Sequence, residues 1–157
     1  MDLFVMRHGE AVSQAGPDAQ RQLTSLGREE TLQVCLHLKK QFAIDTIFSS
    51  PYVRARQTAE IAQEVWSVSN RMESEHLTPL GEVVEALTEL SVLSSTAILV
   101  VSHMPFVSDF VHYLSRSSPS VSVNFKTSGV AYLKIFEWKL RSGELQWLMD
   151  PYSISDK

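Results

Sequence analysis

In the stretch Ala97-Ile98-Leu99-Val100-Val101-Ser102-His103-Met104-Pro105, five apolar residues in unbroken succession give way to a serine, a histidine and, two residues on, a proline. An apolar run of that length without alternation reads as a strand buried on both faces, the habit of a central strand in a parallel sheet. Pro105 then opens an amphipathic helix that runs to Leu114, since proline fits a first helical turn. Strand, tight turn and helix in that order is the signature of an α/β fold.

The same order recurs towards the N-terminus. Ile44 to Phe48 is a second apolar run, followed by Ser49-Ser50-Pro51, where Ser50 and Pro51 supply an N-cap and a first-turn proline for a helix through Val65. Leu3 to Met6 is a third run, and Arg7 and His8 stand at its exit. Residues 9–23 hold Gly16-Pro17-Asp18 and many polar side chains, so they read as a surface loop. Thr24 or Ser25 caps the helix that follows, in which Thr31, Val34, Cys35, Leu38 and Phe42 form one buried stripe and Glu29 and Glu30 favour its positive end.

Met72 to Leu77 is a weaker strand, and Glu82 to Leu93 a helix carrying Val83, Ala86, Leu87 and Leu90. Val130 to Trp138 and Leu145 to Leu148 flank Arg141-Ser142-Gly143 and read as an antiparallel hairpin. The expected architecture is a three-layer α/β/α sandwich around a mostly parallel mixed sheet, in one domain spanning 1–157. Ligands bind outside the carboxyl ends of such strands, which puts Arg7, His8, Ser49, Ser50 and His103 on one rim.

Composition narrows the function. A chain of 157 residues with 44% apolar content can bury a real core. Its net charge of −4 gives no general reason to bind nucleic acid, so any anion site must be local. The single cysteine, Cys35, fits a reducing compartment, with the cytoplasm as the default. No apolar run approaches the roughly 18 residues of a membrane span, and neither export nor membrane insertion is expected.

The rim residues match the needs of phosphoryl transfer: a nucleophile in line, with fixed positive charge around the equatorial oxygens. His8 can attack phosphorus through a neutral ring nitrogen, and Gly9 would let the backbone turn closely beneath a phosphate. Arg7 offers a planar donor fork. Arg54 falls in the first turn of a helix, where free N–H groups already favour an anion. Arg56 should point about 200° away around that helix, so Arg54 is the better candidate. His103 approaches from the opposite side, Arg21 in the early loop is a fifth contact, and nearby guanidinium groups should keep His8 neutral.

With these residues in place, Arg7-His8-Gly9, Leu23-Thr24 with Gly27, Ser49-Ser50-Pro51 with Arg54-Ala55 and Gln57-Thr58-Ala59, and Ser102-His103 resemble the histidine phosphatase superfamily, whose phosphoglycerate mutase-like fold is then implied. The short chain without a cap insertion is similar to the SixA-type protein-phosphohistidine phosphatases of that superfamily. The resemblance implies that His8 is the phosphorylated nucleophile, that Arg7, Arg54 and His103 form the phosphate pocket, and that Arg21 is the extra arginine of the SixA type.

Mutases and ordinary phosphomonoesterases of the superfamily carry an acidic general acid after the third strand. Here Glu75 and Glu82 are the nearby carboxylates, but neither stands in such a motif, and Leu77-Thr78-Pro79 with Gly81 resembles the SixA type. A phosphohistidine leaves as an imidazole and depends less on an enzymic acid than an alkoxide does. The expectation is a phosphatase, working without metal or cofactor, that hydrolyses phosphohistidine on a protein such as a phosphorelay domain, releases inorganic phosphate and is monomeric. The alternatives are a small-molecule or phosphoserine/phosphothreonine monoesterase using Glu75 or Glu82, and a non-catalytic phosphate-binding module. His37, His76 and His112 read as structural or solvated, and Trp66, Trp138 and Trp147 as packing.

Overall fold

All six residues of β4 (Ala97–Ser102) are buried, as the opening stretch requires of a strand with neighbours on both sides and layers on both faces. A computed structural model describes residues 1–13, 16–116 and 123–154 of the chain. The other strands are β1 (Asp2–Arg7), β2 (Thr46–Ser49), β3 (Asn70–Glu73), β5 (Val130–Ile135) and β6 (Gly143–Met149), and the six form one sheet in the order β3-β2-β4-β1-β5-β6. β1 to β4 run parallel, while β5 and β6 are antiparallel additions beyond β1.

Alternate residues of the central strands sort into two cores. Leu3 and Val5 of β1 with Ile98 and Val100 of β4 pack with helices α3 (Val83–Ser91) and α4 (Phe106–Leu114). Phe4, Met6, Leu99 and Val101 face α1 (Ser25–Lys39) and α2 (Val53–Trp66). That is the expected three-layer sandwich with a mostly parallel mixed sheet. Ala55, Ala59 and Ala62 are fully buried on α2, small enough to let it approach the sheet and α1 closely.

Several boundaries differ from the sequence expectation, each for a local reason. α2 begins at Val53, with Tyr52 at the cap position and no capping side chain. Ser50 caps nothing there because its Oγ pairs with His103 Nε2 and accepts only the Tyr52 amide. Glu29 and Glu30 lie beyond the first turn of α1, whose N-cap is Thr24. α1 stops at Lys39, so Phe42 joins an aromatic cluster instead, 5.0 Å from Phe4 and 6.0 Å from Trp147 between ring centroids. The weak strand ends at Glu73, and Glu75–Leu77 is a 3₁₀ turn that buries Leu77. α3 is shorter than Glu82 to Leu93, and the hairpin strands meet with Gly143 opposite Ile135. The early loop contains a 3₁₀ turn at Asp18–Gln20, while its residues 14 and 15 lie outside the described residues.

Cys35 is buried without a disulfide partner, and burial pushes its thiol up to about 12. Gly27 shows why the chain after β1 can cross the start of α1. A Cβ there would run into the Glu10 carbonyl oxygen, a backbone atom that accepts from the Thr24 amide at 2.9 Å. Alanine in place of a helical glycine normally gains about 1 kcal/mol, but overpacking of this kind costs roughly 1–3 kcal/mol or more. Gly27→Ala should therefore lower the Tm, by roughly 2–8 °C, in a thermal melt followed by circular dichroism, reversing the sign expected from helix propensity.

Candidate active site

Three neighbouring parallel strands, β2, β4 and β1, end level with one another: Arg7 pairs with Ser102, and Ser49 with Val101. The chain leaves β1 and β2 still tied to β4, since the His8 amide donates to the Ser102 carbonyl and the Ser50 amide to the Val101 carbonyl. His8, Ser50 and His103 thus emerge side by side at the carboxyl edge. The cavity above them, about 300 Å³, is lined among others by Arg7, His8, Asp18, Arg21, Arg54 and His103.

His8 is 7% exposed, and its Nδ1 lies 2.7 Å from the Gly9 carbonyl oxygen. A carbonyl only accepts, so Nδ1 carries the ring hydrogen and Nε2 keeps its lone pair. Arg54 Nε donates to that Nε2 at 3.2 Å. The His8 pKa is pushed down to about 4, chiefly by burial and further by the charges of Arg54, Arg7 and Arg21, against the pull of the Gly9 carbonyl. The sequence expectation credited the guanidinium groups alone, and burial proves the larger cause.

Arg54, 3% exposed, occupies the second position of α2, directly beside the nucleophile candidate. Its Nη1 donates to the Asp18 carbonyl at 2.8 Å and its Nη2 to Asp18 Oδ2 at 3.1 Å. Arg21 Nε donates to Asp18 Oδ1 at 2.9 Å. Burial would raise the Asp18 pKa, but these two arginines outweigh it and hold the carboxyl below its ordinary range. Arg7 is anchored by a 2.9 Å bond from Nη1 to the Phe125 carbonyl, which leaves its Nε buried with no partner among the described residues. His103 pairs through Nε2 with Ser50 Oγ at 2.8 Å, and its Nδ1 is likewise buried and unpartnered. Burial and the neighbouring His8 and Arg54 hold His103 neutral, far below its usual pKa. Tyr52 packs its ring against His103, 5.1 Å between centroids, and beneath the Arg54 guanidinium at 5.3 Å.

The structure thus brings together Arg7, His8, Arg21, Arg54 and His103. Gly9 has a different place from the one expected. It does not line the cavity, and a Cβ on it would lie 2.7 Å from Thr31 Oγ1 and 2.8 Å from the Gly27 carbonyl oxygen, on the α1 side. Its amide donates to Thr58 Oγ1 at 3.0 Å, and Thr58 in turn donates to the Arg54 carbonyl. Glycine is needed here for the close approach of α1, not for room under an anion. Arg56 does point away, pairing with exposed Glu73 at 2.9 Å. Glu75 and Glu82 are exposed and do not line the cavity, whose carboxylates are Glu10 and Asp18. His76 lies 4.0 Å from Glu89, an acid partner that the sequence reading did not supply, and Trp147 packs in the aromatic cluster as expected. Asp18 was missed as a site residue. Its spacing of three from Arg21 was the available signal.

Among the described residues, no group of three or more His, Cys, Asp or Glu side chains could hold a metal ion. The positive charge of the cavity comes from arginines.

The family model of the histidine phosphatase superfamily (branch 1) matches residues 3–83. The phosphohistidine phosphatase SixA of Escherichia coli strain K12 is 33% identical over 162 residues, covering 98% of this chain and 96% of that protein. A SixA homolog from Haemophilus influenzae is 33% identical over 123 residues, covering 71% of this chain and 75% of its own length. The solved structure of the protein histidine phosphatase SixA complexed with tungstate superposes with a TM-score of 0.91 at 31% identity, covering 99% of this chain and all of that one.

The pKa of His8 sets a pH dependence of stability. Its folded value of about 4 lies below the 6.5 of a free imidazole, so the unfolded chain takes up the proton first as pH falls. The stability that neutral His8 retains is present above pH 6.5 and is lost between 6.5 and 4. Replacing His8 by asparagine should flatten the decline of urea-unfolding free energy across that window, and in wild type the His8 ring should titrate by NMR only near pH 4.

Proposed function

The chain belongs to the histidine phosphatase superfamily, and from that premise we propose that it hydrolyses phosphohistidine on a protein, through a phosphohistidine formed on its own His8. The observation that supports this above others is the His8 ring, fixed by the Gly9 carbonyl so that its unprotonated Nε2, accepting from Arg54 Nε, stands at a cavity ringed by arginines.

In the first step His8 Nε2 attacks phosphorus while the N–P bond of the substrate breaks and its electron pair returns to the substrate imidazole. Arg7, Arg21 and Arg54 supply charge to the equatorial oxygens, and His103 adds a further polar contact. Water then attacks the phosphorus on His8, Nε2 recovers its lone pair, and inorganic phosphate leaves. The guanidinium groups do the electrostatic work that a metal would otherwise supply, so turnover proceeds without one. Tungstate, bound in the SixA structure named above, is a tetrahedral oxyanion of the kind such a cavity suits.

The leaving group separates the alternatives. An alkyl phosphomonoester needs an acid beside the leaving oxygen, but Glu75 and Glu82 do not line the cavity. Of the two carboxylates that do, Asp18 is held ionised by Arg21 and Arg54 and has no proton to give near neutral pH, while Glu10 is turned to Thr24, whose Oγ1 donates to Glu10 Oε2 at 2.8 Å. A phosphorylated imidazole, protonated beforehand, departs without one. The SixA relatives are named phosphohistidine phosphatases, and the partner proposed here is likewise a phosphohistidine-bearing protein such as a phosphorelay domain. One capless domain over 1–157, acting as a monomer in the cytoplasm, completes the reading.

His8→Ala should abolish phosphate release from a phosphohistidine protein, by roughly 10³-fold or more, with circular dichroism unchanged. Wild type quenched in mid-turnover should carry acid-labile, base-stable phosphate on His8, and EDTA should leave the rate as it was. Faster cleavage of alkyl phosphomonoesters than of phosphohistidine protein would move the assignment to the monoesterases.

A further inference from the structure

We propose that Asp18 is the pocket's own anion: its carboxylate holds the place of phosphoryl oxygens between Arg21 and Arg54, yields when phosphate enters, and so loosens the hold on the product. The inference rests on the phosphate-site reading above and concerns the tuning of that site.

Arg54 is the shared element. Its Nε touches the His8 atom that would carry phosphorus, at 3.2 Å, while its Nη2 holds Asp18 Oδ2 at 3.1 Å. A phosphoryl group on Nε2 would therefore lie within reach of the same planar fork that already grips a carboxylate. Arg21 adds the second grip, Nε to Oδ1 at 2.9 Å, so both Asp18 oxygens sit on guanidinium donors, as two oxygens of a phosphate would.

Exposure decides which partner gives way. The Asp18 side chain is 57% exposed and can turn out to water, whereas that of Arg54 is 4% exposed and packed over Tyr52. A guanidinium that buried needs a counter-charge whenever phosphate is away, and Asp18 provides it between turnovers. The turn itself need not move. Arg54 Nη1 also holds the Asp18 carbonyl at 2.8 Å, and Arg21 Nη1 holds the Val12 carbonyl at 2.9 Å, so the backbone keeps its anchors while the carboxylate swings.

A positioning role alone predicts the opposite sign. If Asp18 only aimed the two arginines, its loss would scatter them and weaken anion binding. If it competes, its loss strengthens binding. Isothermal titration with inorganic phosphate on the full chain distinguishes the two. Asp18→Asn and Asp18→Ala should each bind phosphate about tenfold more tightly than wild type, and phosphate should inhibit their turnover at correspondingly lower concentration. In wild type, saturating phosphate should shift the NMR signal of the Asp18 carboxyl carbon, a measurement that needs no variant to fold. Equal or weaker binding by both variants, or a carboxyl signal that phosphate leaves in place, overturns the inference while leaving the phosphatase reading intact. A wild-type chain that neither binds phosphate nor is inhibited by it removes both.

Discussion

The parallel pairing of β1 with β4, Arg7 opposite Ser102, is the constraint on which the rest of the site depends. It ends two strands at one height, and the bond from the His8 amide to the Ser102 carbonyl carries the pairing one residue further. Two histidines 95 positions apart in sequence then stand with ring centroids 5.0 Å apart. β2, level with them on the far side of β4, delivers Ser50 to His103 and starts the turn that leads to Arg54. Thr58 closes the arrangement by joining the Gly9 amide to the Arg54 carbonyl, so that the end of β1 and the first turn of α2 share one hydroxyl.

Electrostatics follows from that crowding. Two imidazoles and three buried or half-buried guanidinium groups cannot all carry charge in one cavity, and arginine does not give up its proton. Burial first, and these neighbouring charges after it, keep both histidines neutral, which is the state a nucleophilic ring requires. Two of these arginines, Arg21 and Arg54, find their counter-charge in the carboxylate of Asp18 on an exposed turn.

The apolar stretches were plain in the sequence because central parallel strands are buried on both faces and cannot alternate. Arg7, His8, Arg54 and His103 were legible for the same reason: each stands where a strand or a helix visibly begins or ends. What escaped notice depends on contacts between distant segments. Ser50 has the local look of a helix cap, but its hydroxyl is taken by a histidine 53 residues away. Gly9 follows the nucleophile candidate and invites a role beneath an anion, yet Thr31 and Gly27 of another element fix its identity. Asp18 resembles any polar loop residue until α2 brings Arg54 to it. Phe42 continued the helical spacing of α1, but only after the helix had stopped.

The placement of β1 in the middle of the sheet also constrains how the molecule comes into being. Leu3 pairs with Ile98 on one side and with Leu133 on the other, so a ribosome has made β1, the strand that leads into His8, long before either neighbour exists. Such high contact order slows folding, and it leaves an apolar strand waiting for partners. The pocket cannot assemble until β4 has emerged, and β1 keeps an open edge until β5 arrives to close it.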